Sequence, residues 1–231
     1  MRLFLYNVIM ADTQTVISDV KLFLERLKKD LPEVFGKQPA TADIKNGAAS
    51  APVPHDNKVL YNGDLFPVQM YVTPDQEAGV TFDGKLFHIY LQTPEDNPSQ
   101  LVTDWLREKA RETLTAKTTE WAQKMGVEFN QIFIKDQRTL WASCSGKKNL
   151  NFSYRIVKMP LAVQDYLMVH ELCHLTYMNH GQEYWAQVEQ FCPDYKLHRR
   201  WLNENKDAIF ADVELTYTPQ TESSDSDIPA A

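Results

Sequence analysis

The run His170-Glu171-Leu172-Cys173-His174 places two imidazoles four residues apart with a carboxylate between them. On a helix, positions four apart share a face one turn above the other, so both rings can converge on one ion. Glu171 lies about 100° round the helix from His170, where it can lean toward a metal-bound water without being a ligand. Catalytic zinc takes three protein ligands and keeps a place for water. It lowers the pKa of that water from about 16 to roughly 7. A carboxylate beside it can take the proton and later pass it to a leaving group. The same five residues can also arise in a helix that binds nothing. Here the residues before them (Leu161, Val163, Tyr166, Leu167, Val169) are strongly apolar. They predict a buried helix, in which two histidines and a glutamate without partners would be costly. The expectation is therefore one zinc ion per chain, with Glu171 as catalytic base.

A third ligand is needed. His180 follows His174 by six residues and precedes Gly181, so an Asn179-His180-Gly181 turn can end the helix and swing the chain back. Glu183 and Glu189 on the following segment are the competitors, in the manner of enzymes with two histidines and one glutamate. His180 is the favoured reading. The metzincin pattern spaces its third histidine alike but requires glycine where Tyr177 stands, which argues against it.

The elements that must position these groups can be read from periodicity. Val16, Val20, Phe23, Leu24, Leu27 and Leu31 predict a helix over 13–35, and the Ala/Pro/Gly-rich stretch 36–57 predicts a linker. Residues 1–57 thus read as an appendage. Strand signals begin at Lys58. Asn62-Gly63 predicts a hairpin joining 59–61 to 66–72, and Asp83-Gly84 a second joining 80–82 to 86–90. Ser99 is the expected N-cap of a long helix reaching Met125, with a stripe of Val102, Leu106, Ala110 and Leu114 and a stop at Gly126. Strands are expected at 131–134, 139–144 and 150–154, then a helix opened by Pro160, another from Gly181 to Phe191, and a last from Pro193 to about Lys206. The main domain should span 58–207. Residues 208–231 read as a mostly disordered acidic tail, rich in Ser, Thr, Asp, Glu and Pro from Thr216 onward.

With these motifs in place, the stretch from His170 to Leu202 resembles the YgjP-like metallopeptidase domain family, which is related to the SprT-like zinc proteases. The matching features are His-Glu-Leu-Cys-His, Asn179-His180, the aromatic pair Tyr184-Trp185, Cys192-Pro193-Asp194-Tyr195 and Trp201-Leu202. Upstream, Trp141-Ala142-Ser143-Cys144 resembles the family's Trp-Gly-Ser-Cys. Leu150-Asn151 with Arg155 resembles its next strand, and Tyr61-Asn62-Gly63 with Phe66-Pro67-Val68 its first hairpin. The resemblance covers roughly residues 58–205. It implies an α+β, zincin-like fold in which a small twisted sheet packs on the metal-binding helix, with a long helix before it and helices after it. It also implies three histidine ligands. The family carries Arg before the tryptophan and Gly after it, whereas Leu140 and Ala142 stand here, with Arg138 two places earlier.

Further residues carry two readings each. Arg155 could stabilise a developing oxyanion or simply pair with a carboxylate. Asn151 and Tyr177 are candidate substrate or transition-state contacts. Asp194 could accept a hydrogen bond from a ligand histidine or cap the helix after Cys192. Cys144 reads as a buried structural cysteine rather than a reactive thiol, and Cys173 as core. The cluster Lys196, His198, Arg199 and Arg200 reads as a solvated helix face.

Composition narrows the function classes. Across 231 residues the formal net charge is −7, which does not support nucleic-acid binding, although a local basic face remains open. Three widely spaced cysteines fit neither a disulfide framework nor a four-cysteine zinc knot, and point to a reducing cytoplasm. No run approaches eighteen apolar residues, so no membrane span is expected. Asn7 interrupts the apolar start, and Ala11-Asp12-Thr13 is a poor cleavage context for a signal peptide. The functional expectation is a zinc metallopeptidase acting on protein or peptide. An edge strand near 139–144 should receive substrate by strand addition. One alternative is a zinc-dependent nucleotide or phosphoanhydride hydrolase using Lys147, Lys148 and Arg155, although no Gly-rich phosphate loop supports it. The other is a non-catalytic zinc-stabilised binding module, which would have no use for Glu171.

Overall fold

The computed structural model describes residues 57–218. The helix expected over 13–35, the linker at 36–57 except for Asn57, and the tail beyond 218 lie outside the described residues.

The fold is α+β, with two small sheets rather than the single one expected. The first has the order β1-β2-β4-β3, built from Lys58–Tyr61, Asp64–Val72, Gly79–Phe82 and Phe87–Leu91 as β1, β2, β3 and β4. Both expected hairpins sit here. At the β1–β2 turn Asn62 and Gly63 have φ of 51° and 93°, the positive pair that a tight two-residue hairpin requires. Strand β4 alternates strictly: Phe87, Ile89 and Leu91 are wholly buried, while His88 and Tyr90 turn to the outer face.

The long helix α1, Pro98–Met125, is capped by Asn97, whose side chain accepts from the Gln100 amide at 3.1 Å. The expected cap, Ser99, lies one residue inside the helix, because Pro98 needs no amide partner and takes the first helical position. Gly126 closes the helix in the left-handed conformation, as expected. The buried stripe recurs every four residues from Val102 through Leu106, Ala110, Leu114 and Thr118 to Ala122. A spacing of four advances about 40° per step against the 3.6-residue turn, so the stripe winds round the helix. One helix thereby serves two partners. Near its start Trp105 packs edge-on against Tyr61, Phe82 and Phe87 of the first sheet. Further along, Lys117 and Trp121 both bond to Asp165, and Thr118 to the Met168 sulfur, on the next helix.

The second sheet has the order β5-β7-β6, with Ile132–Lys135, Ala142–Cys144 and Leu150–Ser153 as β5, β6 and β7. Among the described residues strand β6 is paired on one side only, and it is shorter than the 139–144 expected. A 3-10 turn, Tyr154–Lys158, leads into helix α2, Leu161–Cys173. Nine of the thirteen residues of α2 are buried, so it is a central helix rather than an amphipathic surface one. The first hairpin steadies its start: Asn62 and Gly63 donate their amides to the Val157 and Lys158 carbonyls, and the Gln164 side chain reaches Asn62.

Helices α3, Gln182–Phe191, and α4, Tyr195–Glu204, pack on α2. The last expected helix is two: α4 ends at Asn205, whose side chain bonds back to the Trp201 carbonyl, and α5 runs Lys206–Phe210. Packing continues past residue 207, where the sequence suggests the domain ends. Leu215 is buried, and Val213 and Tyr217 lie against the core. Among the described residues no helix is long and apolar enough to cross a membrane.

Candidate metal centre

Helix α2 ends at His174, which keeps right-handed helical angles as the C-cap. His170 and His174 are therefore still stacked one turn apart, their rings 5.1 Å apart. The chain then turns through Leu175–Tyr177, and a tight bond from the Gly181 amide to the Asn179 carbonyl puts His180 at its apex. The outcome is convergence: one ring nitrogen from each of His170, His174 and His180 lies within 4.8 Å of the others. Glu183 and Glu189 do not join this group; Glu189 faces Lys196 at 4.0 Å.

The donor set fits zinc. The Nε2 atoms of His170 and His180 are 3.3 Å apart. Two nitrogens bound to tetrahedral zinc at about 2.05 Å stand about 3.3–3.4 Å from each other. The Nδ1 atom of His174 faces the Tyr177 carbonyl at 3.1 Å. A carbonyl only accepts, so Nδ1 carries the proton and Nε2 keeps its lone pair. On His170, Nδ1 meets the Tyr166 hydroxyl at 3.4 Å, and Nε2 turns to the other histidines. Burial, then the neighbouring His174 and His180, pull the His170 pKa down to about 3, and burial lowers that of His174. Both rings are neutral at physiological pH.

Two consecutive aromatics on α3 brace the loop-borne His180 and its neighbour His174. The Tyr184 ring stacks on His174 at 4.7 Å, and its hydroxyl donates to the His170 carbonyl at 3.0 Å. Trp185 stacks on His180 at 5.5 Å and carries the Arg199 guanidinium over its own ring at 5.2 Å.

Glu171 is only 4% exposed, and its Oε2 atom is buried without a hydrogen-bond partner. Burial pushes its pKa up to about 8. Glu171 directly follows His170 in the chain, and a buried carboxyl oxygen without a partner is uncommon enough to mark a functional group. Burial, then the charge of Glu171, raises the Cys144 thiol to about 11, so that thiol is neutral, and β6 packs against α2. Burial likewise raises Cys173 to about 12, in keeping with a core position.

The remaining sequence candidates fall elsewhere. Arg155 is fully buried, bonded to Asp136 and, at 2.7 Å, to Asp212, with its guanidinium 4.5 Å over the Tyr154 ring. Of its two readings the ion pair is the one observed. The Asn151 amide turns to the Ser143 hydroxyl and carbonyl across the β6–β7 pair. Tyr177 is exposed beside His174. Asp194 occupies the N-cap position of α4 without a side-chain capping bond, and among the described residues no hydrogen bond joins it to a ligand histidine. The groups that do touch His170 and His174 from behind, Tyr166 and the Tyr177 carbonyl, were not singled out from sequence for that role. Tyr166 was findable as the residue four before His170; a backbone carbonyl has no sequence signature.

A family model described as YgjP-like, metallopeptidase domain, matches residues 8–205, a span that starts well before the 58–205 carried by individual motifs. Among solved structures, the metallopeptidase zymogen abylysin of Pyrococcus abyssi aligns at 18% identity and a TM-score of 0.36, over 39% of this chain and 92% of that one. The metallopeptidase zymogen jannalysin of Methanocaldococcus jannaschii aligns at 23% identity and 0.34, over 38% and 93%. No curated protein matches the chain.

Proposed function

Because the chain belongs to the YgjP-like metallopeptidase domain family, we propose that it is a zinc peptidase of zincin-like design that cleaves peptide bonds at the His170–His174–His180 centre. The observation that carries this reading is the convergence of three imidazoles beside a buried carboxylate that lacks a partner. Zinc held there would act as a Lewis acid on the scissile carbonyl and make a water acidic near neutral pH. Glu171 takes the proton from the attacking water and returns it to the leaving amine. Tyr166 and the Tyr177 carbonyl keep the two helical imidazoles turned with Nε2 outward. Strand β6, unpaired along one side among the described residues, receives an extended substrate by strand addition. The exposed Tyr177 ring is the side chain placed to touch it near the reacting bond.

The phosphoanhydride alternative is weakened by Arg155, whose guanidinium is committed to Asp136 and Asp212. The non-catalytic alternative leaves the burial of Glu171 without a use.

The test combines metal content and cleavage. The native chain, purified without added metal, should carry about one zinc, and His180→Ala should lose it. Glu171→Gln should keep the zinc and lose cleavage of an unfolded protein by about 10²–10⁴-fold. A Glu171→Gln chain that retains zinc and full activity would remove the proposed base. Phosphate release from nucleotides without peptide cleavage would replace the substrate class.

A further inference from the structure

The described part of the C-terminal segment, 206–218, has one face that neither the metal centre nor the core explains. It is anchored to the body of the domain along its length. Lys158 donates to the Ile209 and Ala211 carbonyls at 3.1 and 2.6 Å. The Ser99 hydroxyl both accepts from the Leu215 amide at 2.8 Å and donates to its carbonyl. Asn57 and Thr216 exchange two hydrogen bonds at 3.0 Å. Between these anchors the segment presents Phe210 and Asp212 to the loop between β5 and β6. The Phe210 ring lies flat on Trp141, with centroids 4.0 Å apart and planes 9° apart. Asp212 takes a two-pronged bond from Arg138 at 3.1 and 3.2 Å. Through Arg155 it continues to Asp136, which also holds Arg107 of α1 at 2.9 Å. The loop is therefore gripped at both of its ends, by Asp136 and Arg138 at one and by Trp141 at the other.

Trp141 immediately precedes β6, a three-residue strand that among the described residues pairs only with β7. A strand that short, with one ladder of hydrogen bonds, has little of its own to hold it straight. Sheet edges that accept a further strand do so best when already extended, since the ordering cost is then met before binding. We propose that residues 206–212 act as a strut for the substrate-binding edge strand, with Phe210, Asp212 and Arg138 as positioning residues that act through Trp141. Its functional half rests on the peptidase reading above. The strut sets how tightly an extended peptide is held, leaving the proton transfer by Glu171 untouched.

The experiment compares Phe210→Ala and Arg138→Gln with Ser99→Ala in the zinc-loaded full chain. Arg138 is exposed, so its replacement keeps the fold even if the Phe210 variant is weakened. Ser99 loosens the same segment at a point remote from the loop. Deuterium uptake at 138–144 should rise in the first two variants and stay native in the third, with uptake over 161–173 unchanged in all. On an extended peptide, KM should rise by about tenfold with kcat within about twofold for the first two, and neither should move for Ser99→Ala. Native uptake at 138–144 in both Phe210→Ala and Arg138→Gln overturns the strut. So does an equal rise in Ser99→Ala, which would make the segment a general stabiliser. A fall in kcat at constant KM overturns the link to substrate binding. If the native chain cleaves no peptide, the peptidase reading fails, and the deuterium arm still decides whether the segment holds β6.

Discussion

The Tyr166 hydroxyl meets the Nδ1 atom of His170 at 3.4 Å, one helical turn along the same face of α2. Burial raises the tyrosine pKa to about 12, so the hydroxyl stays protonated at any working pH. Groups that orient a ligand imidazole in this way are worth about 10–100-fold in metal affinity. Tyr166→Phe should lower zinc affinity by that amount, read by competition with a chromophoric chelator, and leave the far-UV spectrum unchanged. Native affinity in the variant would mean that Tyr184 and the helix alone fix the ring.

Metal removal should be felt as lost stability. His180 is exposed and sits on a loop, so a bound ion would tie that loop to α2. A ligand at a hundred times its Kd stabilises by about 2.7 kcal/mol. Chelation should lower the melting temperature of the native chain, and His180→Ala should melt near the chelated value with or without zinc. A melting temperature indifferent to chelator would show that the loop is held without the ion.

What the sequence disclosed was mostly local. The Asn62-Gly63 and Asp83-Gly84 turns, the Gly126 stop and the apolar stripe of α1 are each written within a few residues of where they act. The histidine cluster was legible for the same reason, because helical spacing and a following Asn-His-Gly turn need no distant partner. The Arg107–Asp136–Arg155–Asp212–Arg138 chain was not. Arg138 and Asp212 are 74 positions apart, and ion pairs between unlike segments leave no periodic trace. Arg155 therefore kept two readings until its partners were seen. The stretch after residue 207 read as tail on the Ser, Thr, Asp, Glu and Pro from Thr216 onward, with the polar Asp212 and Glu214 ahead of them. Yet Val213, Leu215 and Tyr217 alternate with them, and that two-residue period was the available sign of a packed, extended segment.

Gly63 joins the first hairpin to the start of the metal helix. Its φ is +93°, and a Cβ there would stand 2.8 Å from Pro160 Cγ and 3.0 Å from the Pro160 backbone. Gly63→Ala combines a left-handed strain with a clash against rigid atoms, and should cost about 2–3 kcal/mol in urea unfolding. Gly84 shares the same φ but faces open space, so Gly84→Ala should cost about 1 kcal/mol. Equal losses at the two glycines would mean that the contact with Pro160 carries no weight.

Lys158 gives the chain a distinctive alkaline behaviour. It is 2% exposed, and burial, then the charge of Arg155, lowers its pKa from 10.5 to about 8. Below pH 8 the ammonium is charged in folded and unfolded chains alike, and contributes no pH dependence. Between about 8 and 10.5 the unfolded chain still holds a proton that the folded chain has released, so this group makes stability rise with pH. The rise amounts to about 3 kcal/mol over the window. The neutral amine keeps two N–H groups, enough for the Ile209 and Ala211 carbonyls. Tyr154, Tyr166 and the buried thiols work in the opposite direction, because their raised pKa values leave the folded chain holding more protons than the unfolded one. The measurement is therefore a difference: unfolding free energies of the native chain and of Lys158→Met, taken at pH 7.5 and at pH 10. The gap between them should widen in favour of the native chain at the higher pH. A constant gap would show that the Lys158 amine titrates alike in the folded and unfolded chains.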